Sequence, residues 1–242
     1  MKILITNDDS INAKAIIPLA KWARKLGDVT VVAPKVEQSG KSNSIEIFKP
    51  FEVKKLWEED GFRGYSLDST PADCVRFSFL GMNIDFDLVI SGINKGYNVG
   101  RDINYSGTAG AMFEAANLGA KAIAISTDVD SMDYALSKLD DVWEYLEKNH
   151  LLDKNNIYNI NIPPNGENFM ITCQGGRYYC DVYIDKGNDM FLPTGHCIYH
   201  KTDNIVCDTD AVMHGIISIT PITLDRTNRK VYDELLYLNK KN

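Results

Sequence analysis

Two carboxylates stand side by side where a short apolar run ends: Ile3-Leu4-Ile5-Thr6 gives way to Asn7-Asp8-Asp9-Ser10. Adjacent anions repel, and burying either without a partner is costly, so a strand end that carries both is a place to hold a cation. Oxygen ligands of this kind suit a hard divalent ion, Mg²⁺ or Mn²⁺. The competing reading is that one of these residues only caps the helix that follows.

Two further loops carry the same kind of chemistry. Pro34–Asn43 contains Ser39-Gly40-Lys41-Ser42, which offers a hydroxyl and a close backbone amide to an anion or metal. It is not a nucleoside-triphosphate loop, because Lys35 stands where that motif needs its first glycine. The third loop, Gly92 to Asn104, holds Asn94, Gly96, Asn98 and Gly100, and leads into Ser106-Gly107-Thr108 at the start of a small-residue helix. Glycine lets backbone approach a ligand, asparagine presents a donor-acceptor fork, and the free amides of a helix N-terminus favour phosphate. Ser106 as a mere N-cap is the equally simple alternative. A dinucleotide site is disfavoured, since no Gly-x-Gly-x-x-Gly follows the first strand.

The elements that must position these loops alternate. Lys2–Thr6, Asp28–Ala33, Asp87–Ser91 and Lys121–Ser126 read as strands, with helices over Ala13–Lys25, from a Thr70 cap towards Leu80, over Ser106–Leu118 and over Met132–Asn149. Strands alternating with helices predict a mostly parallel α/β sheet covered on both faces. In such a sheet, ligands gather outside the carboxyl ends of the strands, where the three loops would meet. Their combined content, a cation site beside neutral donors for a phosphoryl group, is built for phosphate-ester hydrolysis. From Ile157 the pattern becomes β-rich and turn-punctuated, with Val231–Leu238 as a terminal helix. The expected organisation is one domain over 1–242, with an α/β core in 1–150 and a β-rich part in 151–242. Segments such as Asp181-Val182-Tyr183-Ile184 read as hairpins, paired either with another subunit or with the same sheet.

Composition narrows the classes. The 242 residues, 44% apolar and 24% charged, can bury a real core. A formal net charge of −7 argues against binding to a nucleic-acid scaffold, which requires clustered basic surface. No stretch approaches the roughly 20 apolar residues of a membrane span, and no leader-like segment opens the sequence, so a cytoplasmic protein is expected. Cys74, Cys173, Cys180, Cys197 and Cys207 read as reduced thiols, and their spacing misses that of structural zinc sites.

These residues resemble those of the SurE family of stationary-phase survival proteins, metal-dependent nucleotidases. The likeness runs through Asn7-Asp8-Asp9, Ser39-Gly40 with Ser42-Asn43-Ser44, Thr70-Pro71-Ala72-Asp73-Cys74-Val75, Ser91-Gly92-Ile93-Asn94 with Gly96 and Asn98, Ser106-Gly107-Thr108, and Asp208-Thr209-Asp210 before Ser218-Ile219-Thr220-Pro221. It implies a Rossmann-like core and homodimers or homotetramers joined through C-terminal hairpins. It also implies hydrolysis of nucleoside 5′- and 3′-monophosphates by a metal-activated water, with polyphosphate a further substrate of some members. By the same likeness one Mg²⁺ or Mn²⁺ per subunit is held by Asp8, Asp9, Ser39 and Asn94, while Gly40, Asn98, Ser106, Gly107 and Thr108 surround the phosphate. Catalysis is then assigned to Asp8, Asp9, Asn98 and Ser106. The sequence departs from the family pattern at Ser10 and Ser69, where glycine is usual, at Gln38 in place of a frequent arginine, and at Asn12 and Lys14-Ala15. Those departures bear on substrate range. A receiver-like Mg²⁺-binding signalling domain is the alternative, but it wants a phosphate-accepting aspartate where this chain has Ser91-Gly92-Ile93-Asn94. A haloacid-dehalogenase-like phosphatase wants Asp-x-Asp where this chain has Asp8-Asp9-Ser10.

Overall fold

Strand β1 (Lys2–Thr6) lies at the centre of a nine-stranded sheet, because its residues are apolar on both faces. A computed structural model describes residues 1–59 and 61–241. The other strands are β2 (Asp28–Pro34), β3 (Val53–Glu59), β4 (Phe62–Leu67), β5 (Leu88–Lys95), β6 (Lys121–Thr127), β7 (Ile157–Ile162), β8 (Phe169–Ile171) and β11 (Ile217–Pro221). Their order is β3-β4-β2-β1-β5-β6-β7-β11-β8, and only the β3–β4 and β7–β11 pairs are antiparallel. The fold is thus the expected mostly parallel, Rossmann-like α/β sheet.

Alternation along the strands splits the core in two. Ile3, Ile5, Leu88, Ile90, Ile123 and Ile125 pack against helices α1 (Ile16–Ala23), α4 (Met132–Ser137) and α5 (Leu139–Lys148). Leu4, Val89, Ala122 and Ala124 face α2 (Pro71–Arg76) and α3 (Gly107–Asn117). The second face is lined by small residues on both sides, so α3 seats close to β5 and β6. On the first face Trp22 and Trp143 meet edge to face at 6.4 Å, and Trp22 Nε1 donates to Asp140 Oδ1.

Thr70 accepts from the Asp73 amide and Pro71 opens α2, as its residue types require. Other boundaries shift. The Met132–Asn149 helix breaks at Lys138, whose amide bonds back to the Ala135 carbonyl and closes α4 before α5 begins. Helix α1 starts at Ile16, after a turn in which the Ala13 amide bonds to the Ser10 carbonyl. The terminal helix α8 begins at Arg229, where Asn228 caps it, and ends at Leu235. A short helix, α6 (Leu151–Lys154), and α7 (Asp208–Met213) complete the set.

Strands β9 (Tyr179–Asp185) and β10 (Phe191–Cys197) form a hairpin that is a sheet of its own. The alternative that it extends the main sheet is therefore corrected. Most of its side chains are exposed, so this arm, residues 174–206, stands away from the core.

Candidate active site

The chain runs from β1 to one side of the sheet and later returns to β5 on the other side, so the crevice between the carboxyl ends of β1 and β5 is the topological switch point. Asp8 and Asp9 leave one lip and Asn94 the other. A bulge in β5 between Ser91 and Asn94 inserts one extra residue against β6 and re-aims the strand, so that Asn94 pairs with Ser126. Gly92 is required in that bulge, since its φ is +138° and a Cβ there would lie 2.3 Å from the Ile125 carbonyl oxygen.

All three loops meet here. Thr108 Oγ1 donates to Asp8 Oδ1 at 2.5 Å, the Gln38 amide donates to the Asp8 carbonyl at 2.7 Å, and the Lys95 amide donates to Asp9 Oδ2 at 3.3 Å. The N-terminus of α3 is pressed onto the acidic pair: a Cβ on Gly107 would fall 2.8 Å from Asp8 Cβ and 2.9 Å from Asp8 Oδ2. Ser106 Oγ accepts from the Ala109 amide, so it does cap α3, and its hydroxyl proton remains free to donate. Asn94 Nδ2 donates to the Gly96 carbonyl at 2.8 Å, which leaves its Oδ1 as the end not used in that bond. Ser39 and Gly40 lie exposed at the tip of the second loop, and the Ser39 hydroxyl donates to Glu37 Oε1 at 2.7 Å.

The electrostatics fit a cation. Asp8 is 3% exposed, and burial pushes its pKa up in spite of the bond from Thr108. Burial, and then the charge of Asp8, push Asp9 up to about 6. Among the described residues neither carboxylate is in an ion pair, and no three or more His, Cys, Asp or Glu side chains are grouped so as to hold a metal ion by themselves. In the same loop Asn7 Oδ1 is buried with no hydrogen-bond partner. Two carboxylates outside any ion pair, with neutral oxygens around them, are a donor set for a hard, partly hydrated ion, not for zinc.

Asn98 is placed differently from its neighbours. It is buried, its Nδ2 donates to Ser126 Oγ, its amide donates to Asn161 Oδ1, and its carbonyl accepts from Asn159 and Asn161. This network under the third loop was not anticipated from sequence. Its signal is Asn159 and Asn161 two residues apart on one face of an otherwise apolar strand. Asp208 was also missed as a structural actor: its carboxylate holds the amides of Gly100, Gly175 and Thr209, which ties the arm to the third loop. Glu37 is a third carboxylate near Asp9, contributing to the upward shift there. Ser10 has φ +95°, so the position where glycine is usual does need the left-handed region, and serine holds it through the Asn7 Nδ2 bond to its carbonyl.

Beside the acidic crevice a cavity of about 630 Å³ opens between the third loop and the arm. Tyr97, Tyr105, Tyr178 and Tyr179 line it, with Arg101 and Arg177 set among Asp102, Asp128 and Asp181.

A Rossmann-like sheet with an acidic pair and a helix N-terminus meeting at its switch point defines an α/β protein whose candidate metal and phosphate site lies in that crevice. The chain belongs to the survival protein SurE family, whose sequence model matches residues 3–181. It is 38% identical over 250 residues to the 5′-nucleotidase SurE of Caldanaerobacter subterraneus subsp. tengcongensis, covering 96% of this chain and 95% of that one. The 5′-nucleotidase SurE of Clostridium botulinum (strain Alaska E43 / Type E3) is 38% identical over 249 residues, covering 97% and 98%. The crystal structure of the SurE protein from Aquifex aeolicus matches with a TM-score of 0.80 at 31% identity, over 99% of this chain and 100% of that one.

Proposed function

We propose that this protein is a divalent-metal-dependent phosphomonoesterase that hydrolyses nucleoside 5′- and 3′-monophosphates to nucleoside and inorganic phosphate. The observation that carries the reading is the buried Asp8 beside the half-buried Asp9, neither in an ion pair among the described residues, with Asp8 held against the N-terminus of α3. The names of the relatives support the 5′ activity. The 3′ activity and any action on polyphosphate are the finer part of the proposal.

We assign one Mg²⁺ or Mn²⁺ to Asp8, Asp9, Ser39 and Asn94. Bound there, such an ion supplies Lewis-acid polarisation of a phosphoryl oxygen and an acidified water. The chain's own part is to orient and to neutralise. The amides of Gly107 and Thr108 support the Asp8 carboxylate, the hydroxyl proton of Ser106 faces the phosphoryl oxygens, and Gly40 lets the second loop close on them. Asn98 reaches the phosphate only when its carboxamide leaves Ser126 Oγ. The tyrosines of the neighbouring cavity offer faces for a base, and its arginines and aspartates offer polar partners for a sugar; its volume suits a nucleoside. No helix among the described residues is long and apolar enough to cross a membrane. We place the enzyme in the cytoplasm, as a homodimer or homotetramer joined through the arm, a reading supported by the exposed Val182, Tyr183, Ile184, Phe191 and Leu192.

Phosphate release from a panel of 5′- and 3′-nucleotides, with Mn²⁺, Mg²⁺ or chelator, tests this. Release is expected with metal and abolished by chelator, and Asp8→Asn is expected to lower kcat/KM by at least about 100-fold with the far-ultraviolet spectrum unchanged. Metal-independent release, or full turnover by a folded Asp8→Asn, overturns the reading.

A further inference from the structure

The arm leaves the core just after Cys173 and returns to it at Cys207, and these two residues are neighbours in a parallel bridge. The Asp208 amide donates to the Cys173 carbonyl at 2.9 Å and the Cys173 amide to the Val206 carbonyl at 3.4 Å, which fixes the two backbones side by side. Adjacent strands lie about 4.8 Å apart, inside the Cα range that a disulfide spans. Their thiols already touch, with the sulfurs 3.5 Å apart. Cys173 is exposed and Cys207 half-buried, so both are within reach of solvent.

We propose that Cys173 and Cys207 are a redox-responsive dithiol that low-molecular-weight disulfides convert to a disulfide clasp across the root of the arm. This inference is independent of the proposed catalytic activity. The more exposed Cys173 attacks one sulfur of the small disulfide as its thiolate, giving a mixed disulfide and expelling one small thiolate. Cys207 then gives up its proton and attacks the Cys173 sulfur, forming the protein S–S bond and expelling the second small thiolate. The two protons lost by the cysteines end on the two small thiols, and the small disulfide is the oxidant that is reduced. The order of attack follows exposure, and burial beside Cys173, which pushes the Cys207 thiol up to about 11, agrees with it.

The other cysteines are poorly placed for this exchange. Cys74 is fully buried. Cys180 pairs across the hairpin with His196, and Cys197 with Tyr179, so the two thiols stand one register step apart on opposite faces.

A clasp here would act on more than the arm. Gln174 Nε2 donates to the Gly100 carbonyl, the Arg101 amide to the Gly176 carbonyl, and the Tyr179 amide to Asp102 Oδ2. Asp208, next to Cys207, holds the amides of both Gly100 and Gly175. The arm root and the 3₁₀ segment Gly100–Tyr105, which delivers Ser106, are therefore one bonded unit. Locking 173 to 207 restrains that unit.

The test uses the full-length protein, reduced and then equilibrated with oxidised glutathione. The expected result is a loss of about 2 Da, a linked Cys173–Cys207 peptide, and reversal by dithiothreitol. After a protease nick within residues 174–206, the fragments stay joined on a non-reducing gel. The Cys180→Ser/Cys197→Ser variant keeps this behaviour, whereas Cys173→Ser and Cys207→Ser each lose it. Amide exchange over residues 100–105 and 174–179 is expected to slow about tenfold on oxidation. A bond mapped to Cys180 or Cys197, a stable glutathione adduct at Cys173 with no closure, or unchanged exchange in the closed form overturns the proposal.

Discussion

Asp8 and Asp9 are each worse placed in the metal-free fold than in water, and that sets a pH signature. Asp9 has a pKa of 3.8 in the unfolded chain and about 6 in the fold. Between those values the native state holds a proton that the unfolded state has released, so stability falls as pH rises through this window and levels off above it. The shift in Asp8 has the same direction. Chelator-treated Asp9→Asn is therefore expected to be more stable than chelator-treated wild type at pH 7, by about 1 kcal/mol or about 2–4 °C in Tm. The gap should close towards pH 4.5, and thermal melts across that range measure it. Added Mn²⁺ is expected to raise the melting temperature of the wild type and not of the variant.

At the scale of elements, the site depends on how closely α3 and the second loop approach. A Cβ on Gly110 would lie 2.0 Å from the Ser42 carbonyl oxygen, so Gly110→Ala cannot be accommodated without moving the loop that carries Ser39 and Gly40. Alanine improves helix propensity by about 1 kcal/mol, yet the backbone clash outweighs that gain. The expected outcome is a kcat/KM lowered about 100-fold, read by phosphate release, in a protein whose circular dichroism is unchanged. Much of this element scale was legible. Strands β1, β2, β5 and β6 follow from unbroken apolar runs, and Thr70-Pro71-Ala72-Asp73 spells its own helix start. Strands β3 and β4 were not read, because their pairing is antiparallel at a sheet edge and Val53–Glu59 alternates only weakly. Likewise the convergence of Asp8, Gln38, Lys95 and Thr108 could be inferred from strand polarity, but the roles of Asn161 and Asp208 depend on tertiary neighbours far away in sequence.

At the scale of the whole molecule, an arm with Val182, Tyr183, Ile184, Phe191 and Leu192 exposed is a surface in need of cover. Its edges offer unpaired backbone groups, and a second copy can supply the missing partner. Ile184→Asp is expected to shift the protein to a smaller species in size-exclusion chromatography with light scattering, with the melting of the core little changed. Wild type running as a monomer would remove the arm from the proposed assembly.

The Trp22–Trp143 contact has a practical corollary. The chain's remaining tryptophan, Trp57, sits in edge strand β3 against Phe62, so none of the three indoles lines the tyrosine-walled cavity. Indole emission will follow loss of the sheet and stay blind to a ligand entering that cavity, whereas phenol absorbance will report both, because Tyr134, Tyr145 and Tyr158 pack in the core. Intrinsic indole emission thus gives an unfolding signal that a ligand in the cavity leaves untouched, with no label attached.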